Sequence, residues 1–318
     1  MMLMKQFIFY ASFLYFPFVF AMGWLMIRRS GFYRWGALSL VLLASVPAYA
    51  RFVEPRILRT IEAEIALAGS PAKDGDDIRL LLFSDTHIGM FGNAMPLERI
   101  RERADTLDFD AVLVAGDLTY HLPEDQIEAT FKELNNFGKP VFIVLGNHDV
   151  GFPGPDLGMQ LADYFATLEN VHLLNNRTEI VTLNGREIWL TGTSDLWQGQ
   201  IEYPTENPPT GTPRIILTHN PDVAMRIPPN VRYDVLFAGH THGGQIRIPG
   251  LYQRALPSQY GFDRGLYEEV TPASADAIAE PHQIYITSGT GMVGLPMRLL
   301  MPPQVDLITV HLPQGEDG

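Results

Sequence analysis

Five short apolar segments, each leading into a cluster of polar residues, constrain the fold of this chain more than any other feature of its sequence. Each segment is short, apolar and bounded by turn residues, as expected of a strand buried on both faces. The segments lie at 78–83, 111–115, 141–145, 214–219 and 234–240. The polar clusters that follow or close them are Asp85-Thr86-His87, Gly116-Asp117, Gly146-Asn147-His148-Asp149, His219 and Gly239-His240-Thr241-His242. The chain is therefore predicted to carry its polar chemistry at the ends of buried strands.

Helical patterns separate the first three strands and predict a mainly parallel sheet. The patterns cover 95–107 and 123–136, so strand and helix alternate in units of about 30 residues, which is typical of βαβ units. Further strands are predicted at 180–184, 187–192, 283–288 and 305–312, and loops at 199–213 and 249–281. The fold class predicted from this order is α/β.

The polar clusters are expected to converge although they are far apart along the chain. Ligands of open α/β sheets bind outside the carboxyl ends of the strands. Asp85, Asp117 and Asn147 follow one another at intervals of 32 and 30 residues, and neighbouring strands lie about 5 Å apart. Carboxylate, amide and imidazole groups that meet at such distances form sites for divalent transition metals. Five of the nine histidines fall in these clusters, which favours a metal site over unrelated loop residues.

The order of these clusters resembles the calcineurin-like metallophosphoesterase family. The extended GHTHGGQI at 239–246 and SGTGMVGLPMR at 288–298 are similar to its membrane-associated or exported bacterial branch. The resemblance covers about 78–312 and implies a two-sheet β-sandwich flanked by helices.

The resemblance also implies a role for each residue of the clusters. It implies two divalent metal ions, of Mn, Fe or Zn, with one held by Asp85, His87 and His242, the other by Asn147, His219 and His240, and both by Asp117. His148 would not bind metal but would stabilise or protonate the leaving oxygen, with Asp149 as its orienting partner.

One position departs from the family pattern. The second cluster of the family often runs Gly-Asp-x-x-Asp or Gly-Asp-x-x-Asn, whereas here it runs Gly116-Asp117-Leu118-Thr119-Tyr120. Tyr120 supplies neither a carboxylate nor an amide to its neighbours. The departure leaves the metal ligands intact and concerns the orientation of His148.

The first 50 residues predict a membrane anchor. Phe7–Ile27 contains no charged side chain, and about 20 apolar residues are enough to cross the hydrocarbon core of a bilayer. A second apolar stretch, Trp35–Ala50, predicts a helical hairpin. Alternatively, the segment from Met26 to Ala50 has the paired arginines, apolar centre and Ala-Tyr-Ala ending of an export signal. The turn between the stretches carries three basic residues and the outer flanks carry four, so the positive-inside rule selects neither orientation.

Charge divides the chain near the same place. Residues 1–59 hold seven Lys or Arg and one acid, whereas 60–318 hold 16 basic and 35 acidic residues. A domain this acidic lacks the basic clusters that neutralise phosphates, so nucleic acid is not expected as a partner. The absence of cysteine excludes disulfides and thiolate ligands. The predicted domains are an anchor over 1–50, a partly helical linker over 51–77, the metallophosphoesterase domain over 78–312 and a tail over 313–318.

The expected function is metal-dependent hydrolysis of a phosphate ester, with a phosphodiester, a pyrophosphate and a phosphomonoester as alternatives. A hydroxide activated by both metals would attack phosphorus. Because the domain is tethered to a bilayer, expected to be a bacterial inner membrane, a lipid-linked substrate is one alternative. The other class of function is a non-catalytic scaffold that binds metal or a partner protein at the membrane.

A segment near the C-terminus, rich in methionine and leucine, allows two interpretations. Met292, Met297, Met301 and the pair Leu299-Leu300 either pack in the core or form an apolar lip that faces lipid. Packing is the commoner role of such residues, so the core is the prediction.

Overall fold

Two six-stranded β-sheets form the body of the protein in a computed structural model that describes residues 2–70, 77–92, 94–271 and 282–313. The described strands are β1 Arg59–Ala66, β2 Ile78–Phe83, β3 Ile88–Gly89, β4 Ala111–Ala115, β5 Thr119–Tyr120, β6 Val141–Val144, β7 Val171–Leu173, β8 Arg177–Leu183, β9 Arg186–Gly192, β10 Arg214–Leu217, β11 Val235–Ala238, β12 Gly265–Val270, β13 His282–Ile286 and β14 Gln304–His311. The described α-helices are α1 Met2–Ala11, α2 Tyr15–Arg28, α3 Phe32–Phe52, α4 Leu97–Ala104, α5 Ile127–Phe131 and α6 Gly158–Phe165.

Each sheet has a parallel centre, with one antiparallel pair in the first sheet and an antiparallel pair at each edge of the second. The first sheet has the order β1-β14-β2-β4-β6-β7, in which β2, β4, β6 and β7 are parallel and β14 runs antiparallel to β2. The second has the order β12-β13-β11-β10-β9-β8, with β13, β11, β10 and β9 parallel and the two edge strands antiparallel to their neighbours. The central strands are buried on both faces, which explains their continuous apolar sequences.

The hydrophobic core lies in three layers. Leu80, Leu82 and Phe142 of the first sheet pack between the sheets against residues such as Phe237 of the second. Ile100, Phe131 and Phe165, from α4, α5 and α6, cover the outer face of the first sheet. A third cluster, around Ile216 and Ile284, covers the outer face of the second sheet. The predicted class, an α/β fold with a two-sheet β-sandwich flanked by helices, is confirmed.

Two local predictions are wrong. Part of the predicted linker is β1, an edge strand that pairs in parallel with β14 over eight residues. Its sequence, RTIEAEIA, alternates apolar and polar residues as a half-exposed strand does, which is the signal that was missed. The predicted loop 249–281 contains β12. The helical pattern predicted at 123–136 is present, as α5 between two 3-10 helices that cover Glu124–Gln126 and Lys132–Asn136. Residues 71–76 of the linker, 272–281 of the loop and 314–318 of the tail lie outside the described residues.

The amino-terminal helices form a hairpin. A short 3-10 turn, Ser12–Leu14, joins α1 to α2, and α3 packs against α2. The helical stretches Met2–Arg28 and Phe32–Arg56 are each long and apolar enough to cross a membrane. At one end of the hairpin, Arg51 donates to the Ser12 hydroxyl at 3.1 Å and Phe13 packs against Phe52. We call this end, Phe9–Ser12 with Ala50–Glu54, the hairpin base.

The hairpin base is fastened to the sandwich. The backbone N–H of Arg298 donates to the Ala50 carbonyl at 2.9 Å, and that of Met301 donates to the buried Glu54 carboxylate at 2.6 Å. The Phe9 ring stacks on Phe91 with 5.8 Å between ring centroids. The hairpin therefore leaves the body of the protein beside the loops that follow β2 and β13.

Candidate metal centre

The five polar clusters converge at one end of the sandwich. They follow β2, β4 and β6 of the first sheet and β10 and β11 of the second, and in each sheet these strands are parallel neighbours. The seven predicted metal ligands are all buried, with at most 5% of any residue exposed: Asp85, His87, Asp117, Asn147, His219, His240 and His242. The structure thus brings six of the predicted ligands into mutual contact and places the seventh, Asn147, buried in the loop after β6.

The first group of side chains consists of Asp85, His87 and His242. The Nε2 atoms of the two histidines lie 2.9 Å apart, and Asp85 Oδ1 lies 3.4 Å from Nε2 of His242 and 3.8 Å from Nε2 of His87. The other oxygen of Asp85 accepts hydrogen bonds from the Ser84 hydroxyl and from the His240 backbone N–H. These bonds leave Oδ1 directed at the two imidazoles.

Asp117 joins the first group to a second one. Its Oδ2 lies 3.5 Å from Nε2 of His87 and 3.2 Å from Nε2 of His219, while Nδ1 of His240 lies 3.0 Å from the same His219 nitrogen. Its Oδ1 accepts the backbone N–H of His148 at 2.8 Å. One oxygen is therefore held by the backbone and the other lies between the two groups.

Two further contacts direct ligand atoms into the site. His219 donates from Nδ1 to the Ala115 carbonyl at 2.8 Å, which leaves Nε2 for the site. Asn147 donates from Nδ2 to the Phe152 carbonyl, which leaves Oδ1 for the site. Among the described residues, Asp85 Oδ1 and Asn147 Oδ1 are buried without a hydrogen-bond donor. Buried acceptors without donors, beside imidazole nitrogens 2.9–3.0 Å apart, fit bound cations.

The backbone at the site is strained. Five of the seven predicted ligands have φ between 44° and 72°, the left-handed region that side chains with a Cβ rarely adopt: Asp85, His87, Asp117, His240 and His242. Such strain persists only where the surrounding structure holds it, and it is concentrated at functional sites.

Glycine is required where two of these loops meet the ligands. A Cβ at Gly146 would lie 2.2 Å from Asp117 Oδ1, and one at Gly239 would lie 2.7 Å from Asp85 Oδ2. The glycines that precede Asn147 and His240 therefore let the backbone approach the carboxylates of the other strands.

The electrostatics of the site keep most of its imidazoles neutral. Burial lowers the pKa of His87 and His242 well below the ordinary value, and lowers that of His240 to about 3. Burial raises the pKa of Asp85 to about 7. Burial alone would raise the pKa of Asp117 and lower that of His219, but their mutual attraction outweighs it in both. Asp117 keeps its negative charge, and the pKa of His219 rises to about 10.

The neutral imidazoles of His87, His240 and His242 and the ionised Asp117 suit a metal site, and a bound ion would displace the protons held by Asp85 and His219. Neutral imidazoles and ionised carboxylates are the forms that bind divalent ions, and oxygen and nitrogen donors without thiolate fit Mn, Fe or Zn. A metal ion at Asp117 would replace the proton that this carboxylate holds on His219.

The structure corrects the predicted role of Asp149. Its carboxylate accepts the backbone N–H groups of Leu118, Thr119 and Gly146 at 3.2, 2.8 and 3.0 Å, and also the Thr119 hydroxyl at 2.9 Å. The imidazole of His148 instead contacts the Pro153 carbonyl, through Nδ1 at 3.0 Å. The prediction that Asp149 orients His148 is wrong, because its oxygens already tie the loop after β4 to the loop after β6.

Tyr120, the departure from the family pattern, packs against the predicted proton donor. Its buried ring lies edge-on to His148, with 4.9 Å between ring centroids, and contacts His87 at 5.6 Å. Its hydroxyl accepts a hydrogen bond from Lys5 of α1 at 2.5 Å. The ring takes part in orienting His148 through packing, and it connects the hairpin to the site.

Two more residues at the site were missed from the sequence. Arg298 is fully buried, donates to the Gly291, Ser288 and Met301 carbonyls at 2.7–3.1 Å, and lies 3.3 Å from Nδ1 of His242. The Trp197 ring packs edge-on to His240 at 4.4 Å. Arg298 closes the stretch at 288–298 that resembles the family, but nothing in that stretch indicates a contact with His242, and no motif marks Trp197.

Comparison with known proteins agrees with this geometry. The sequence profile of the calcineurin-like phosphoesterases matches residues 78–244, which include all seven predicted ligands. Phosphodiesterase YaeI of Escherichia coli is 30% identical over 292 residues, 89% of this chain and 99% of that protein. Uncharacterized metallophosphoesterase YkuE of Bacillus subtilis is 27% identical and covers 82% of this chain and 88% of that protein.

The name of an animal relative describes both a metallophosphoesterase domain and a transmembrane protein. The transmembrane protein with metallophosphoesterase domain of Danio rerio is 26% identical over 330 residues, 95% of this chain and 71% of that protein. Because the calcineurin-like phosphoesterase profile covers more than half of the chain, it assigns the family directly. The protein belongs to the calcineurin-like phosphoesterase family and is a metal-dependent phosphoester hydrolase.

Proposed function

We propose that the protein hydrolyses a phosphate ester at a pair of divalent metal ions. Asp85, His87 and His242 would hold one ion, Asn147, His219 and His240 the other, and Asp117 would hold both. The observation that carries the proposal is the position of Asp117 Oδ2, 3.2–3.5 Å from one imidazole of each group. When bound, such a pair supplies Lewis-acid charge and an activated water.

The side chains of this protein supply the proton and the alignment. Nδ1 of His148 donates to the Pro153 carbonyl, so the imidazolium form, with its second proton on Nε2, is the form that would protonate the leaving oxygen of the ester. His148 belongs to a group of possible ligands with His87 and Asp117, which places it at the edge of the cage rather than away from it. Proton donation of this kind contributes about 10²–10⁴ in rate. Asp149 acts as a clamp that holds the loops of Asp117 and Asn147 in register.

The location we propose is a membrane, with the inner membrane of a bacterium as the specific assignment. The two apolar helices at the amino terminus would form the anchor over 1–50, and the catalytic domain would follow it. Since the hairpin base is fastened beside the site, a lipid-linked phosphate ester is the substrate class that this location favours. Because β1 belongs to the first sheet, we place the start of the catalytic domain at Arg59.

The rival function is a non-catalytic scaffold that binds metal or a partner at the membrane. Loss of ligand side chains would mark such a protein. Every ligand position of the cage is filled and buried here, which favours catalysis.

The test is turnover by purified full-length protein with Mn²⁺ on bis-p-nitrophenyl phosphate and on p-nitrophenyl phosphate. We expect hydrolysis of at least one substrate, abolished by a chelator and restored by metal. His148→Ala should keep its metal and lose about 10²–10⁴ of the rate. His172→Ala is the matched control, since His172 is a half-exposed histidine on β7, paired with Glu179 away from the cage. Bound metal without turnover on either substrate would favour the scaffold.

A further inference from the structure

A cavity of about 330 Å³ opens directly on the metal cage. His240 and His242 form part of its wall, so any molecule in the cavity touches the residues proposed to hold the metals. The rest of the wall is largely apolar and includes Ile246, Val293 and Leu295. A phosphate ester at the cage could therefore extend an apolar group into this cavity without leaving the site.

Exposed apolar side chains lie on the two chain segments that contribute to the cavity wall, 246–257 and 293–300. Ile248, Leu251, Leu295 and Leu300 are between 39% and 61% exposed, and we call these four residues the apolar lip. Leu300 is held with φ at 57°, a conformation that costs energy for a leucine. Exposed apolar residues that cluster next to a site mark a surface that contacts another molecule or a membrane. The neighbouring methionines Met292 and Met301 are buried, as expected of core residues.

One residue of the lip, Leu300, lies at the hairpin base. Leu300 is flanked by Arg298 and Met301, whose backbone N–H groups bond to Ala50 and Glu54 at the end of α3. Val293, in the cavity wall, packs against the cluster of Phe91 and Tyr120, which Phe9 of α1 covers. Helices that enter a bilayer from this base would bring the lip to the bilayer surface.

The cavity is held open by Gln245. The side-chain amide of Gln245 donates to the Val293 and Leu295 carbonyls at 2.9 and 3.0 Å and accepts the Val293 N–H at 2.9 Å. Its backbone also accepts from Leu299 at 3.0 Å. These bonds fix the loop over 293–300 against the loop of the GHTH cluster, so the cavity is a built feature of the fold.

We propose that this cavity binds the hydrocarbon chain of a membrane-lipid phosphate ester whose phosphate lies at the metal cage. The inference rests on the proposed function and names its substrate class. The chain would enter from the bilayer across the apolar lip, and the phosphate would remain beside His240 and His242. Each methylene group buried in the cavity would strengthen binding about fourfold.

The test compares p-nitrophenyl phosphate diesters that carry a methyl, octyl or dodecyl group. Full-length protein in phosphatidylcholine nanodiscs, loaded with Mn²⁺, should show kcat/KM at least about tenfold higher for the dodecyl than for the methyl ester. Ala255 lines the cavity and is exposed, so Ala255→Trp should fill the cavity without disturbing the core. The ratio of dodecyl to methyl rates should fall towards one in Ala255→Trp and also in Leu295→Ser.

The control separates the cavity from simple partitioning of the ester into the bilayer. Ile180 is 58% exposed on β8, away from the cavity, so Ile180→Ala should keep the dodecyl preference. A dodecyl preference that Ala255→Trp and Leu295→Ser retain in full would overturn the inference while leaving phosphoester hydrolysis in place. A wild-type protein that hydrolyses none of the three esters would overturn this inference. If it also leaves p-nitrophenyl phosphate intact, the proposed function is overturned as well.

A second readout needs no turnover. Metal-free protein in nanodiscs that contain a phosphatidylglycerol with a diazirine at the end of one chain is irradiated, and the cross-linked residues are mapped by mass spectrometry. We expect cross-links within 246–257 and 293–300 that Ala255→Trp reduces and Ile180→Ala does not. Cross-links confined to residues 2–52 would contradict the inference, because the lipid chain would then contact only the hairpin.

Discussion

Asp306 is a buried carboxyl group whose ionisation should destabilise the fold. It lies on β14, is fully buried, and accepts hydrogen bonds at Oδ1 from the Tyr285 hydroxyl at 2.9 Å and from the Gln304 amide at 2.7 Å. An asparagine oxygen can accept both bonds, and the Thr287 hydroxyl beside the carboxylate can accept from the amide nitrogen. Asp306→Asn should therefore keep the contacts and remove the charge.

The stability that Asp306→Asn is expected to gain over the wild type follows from the raised pKa of Asp306. Burial raises the pKa of Asp306 from 3.8 to about 7. The pKa of Asp306 is higher in the folded state than in the unfolded state. The stability that the protonated Asp306 contributes is therefore fully present below pH 3.8 and is lost as the pH rises through about 7. At about 1.4 kcal/mol per unit, the loss reaches roughly 4 kcal/mol, of which about 3 kcal/mol falls between pH 5 and pH 8.

The assay is thermal unfolding of wild type and Asp306→Asn at pH 5, 6, 7 and 8, followed by intrinsic fluorescence. The advantage of the variant in Tm should grow by about 6–12 °C from pH 5 to pH 8, since 1 kcal/mol corresponds to about 2–4 °C in a domain of this size. Other titrating groups are common to both proteins and cancel in the difference. Asp125→Asn, at an exposed position before α5, should show no such pH dependence.

Two results would show that ionisation of Asp306 does not destabilise the fold. A variant that is more stable by the same amount at every pH would show that the effect does not come from ionisation. A wild-type protein that is the more stable one at pH 8 would show that the charged carboxylate stabilises the fold, so burial does not dominate its pKa.

Two further predictions concern the contacts around the cage. Lys5→Ala should remove the hydrogen bond to Tyr120, which is worth about 1 kcal/mol at this half-buried position. The Met90 amide, which donates to the Tyr120 carbonyl at 2.8 Å, reports on this loss. Its hydrogen exchange should become about fivefold faster. Lys5→Arg should exchange as the wild type does, and equal rates in all three proteins would contradict the contact. Arg298→Lys keeps the charge but loses the fork that reaches three carbonyl oxygens, so unfolding should cost at least about 3 kcal/mol less and Tm should fall by about 6–12 °C. An unchanged Tm would show that these bonds contribute little.

The convergence of the residues proposed as ligands could be predicted from the sequence because each follows closely on a strand. A buried parallel strand shows itself locally, as a short apolar run, and the topology of parallel strands sends all such strand ends to one edge. Asp85, Asp117 and Asn147 needed no knowledge of distant contacts beyond this rule. The two-sheet arrangement, by contrast, was predicted from family resemblance and not from strand patterns.

The features that were missed depend on contacts distant in sequence. β1 is a strand because β14, more than 200 residues later, offers it an edge. Its short alternating pattern alone does not distinguish it from a linker. Arg298 reaches His242 only after the loop over 288–301 folds back on the hairpin base.

The role of Asp149 illustrates a different limit. Its place next to His148 in sequence suggested an orienting role, but adjacent residues in a loop need not point the same way. The donors around Asp149 are backbone N–H groups, whose directions depend on the left-handed turn at Asp117. A sequence pattern does not report which way a backbone N–H points.

The number of metal ions bound per chain, measured together with turnover, decides whether Asp117 holds a pair of catalytic metals. Wild-type protein and Asp117→Asn are loaded with Mn²⁺, freed of excess metal, and analysed by inductively coupled plasma mass spectrometry and by hydrolysis of bis-p-nitrophenyl phosphate. We expect the wild type to bind two ions and to show metal-dependent turnover. Asp117→Asn should lose at least one ion and most of the turnover. Two ions and full turnover retained in Asp117→Asn, or a wild type that binds no metal, would contradict this expectation.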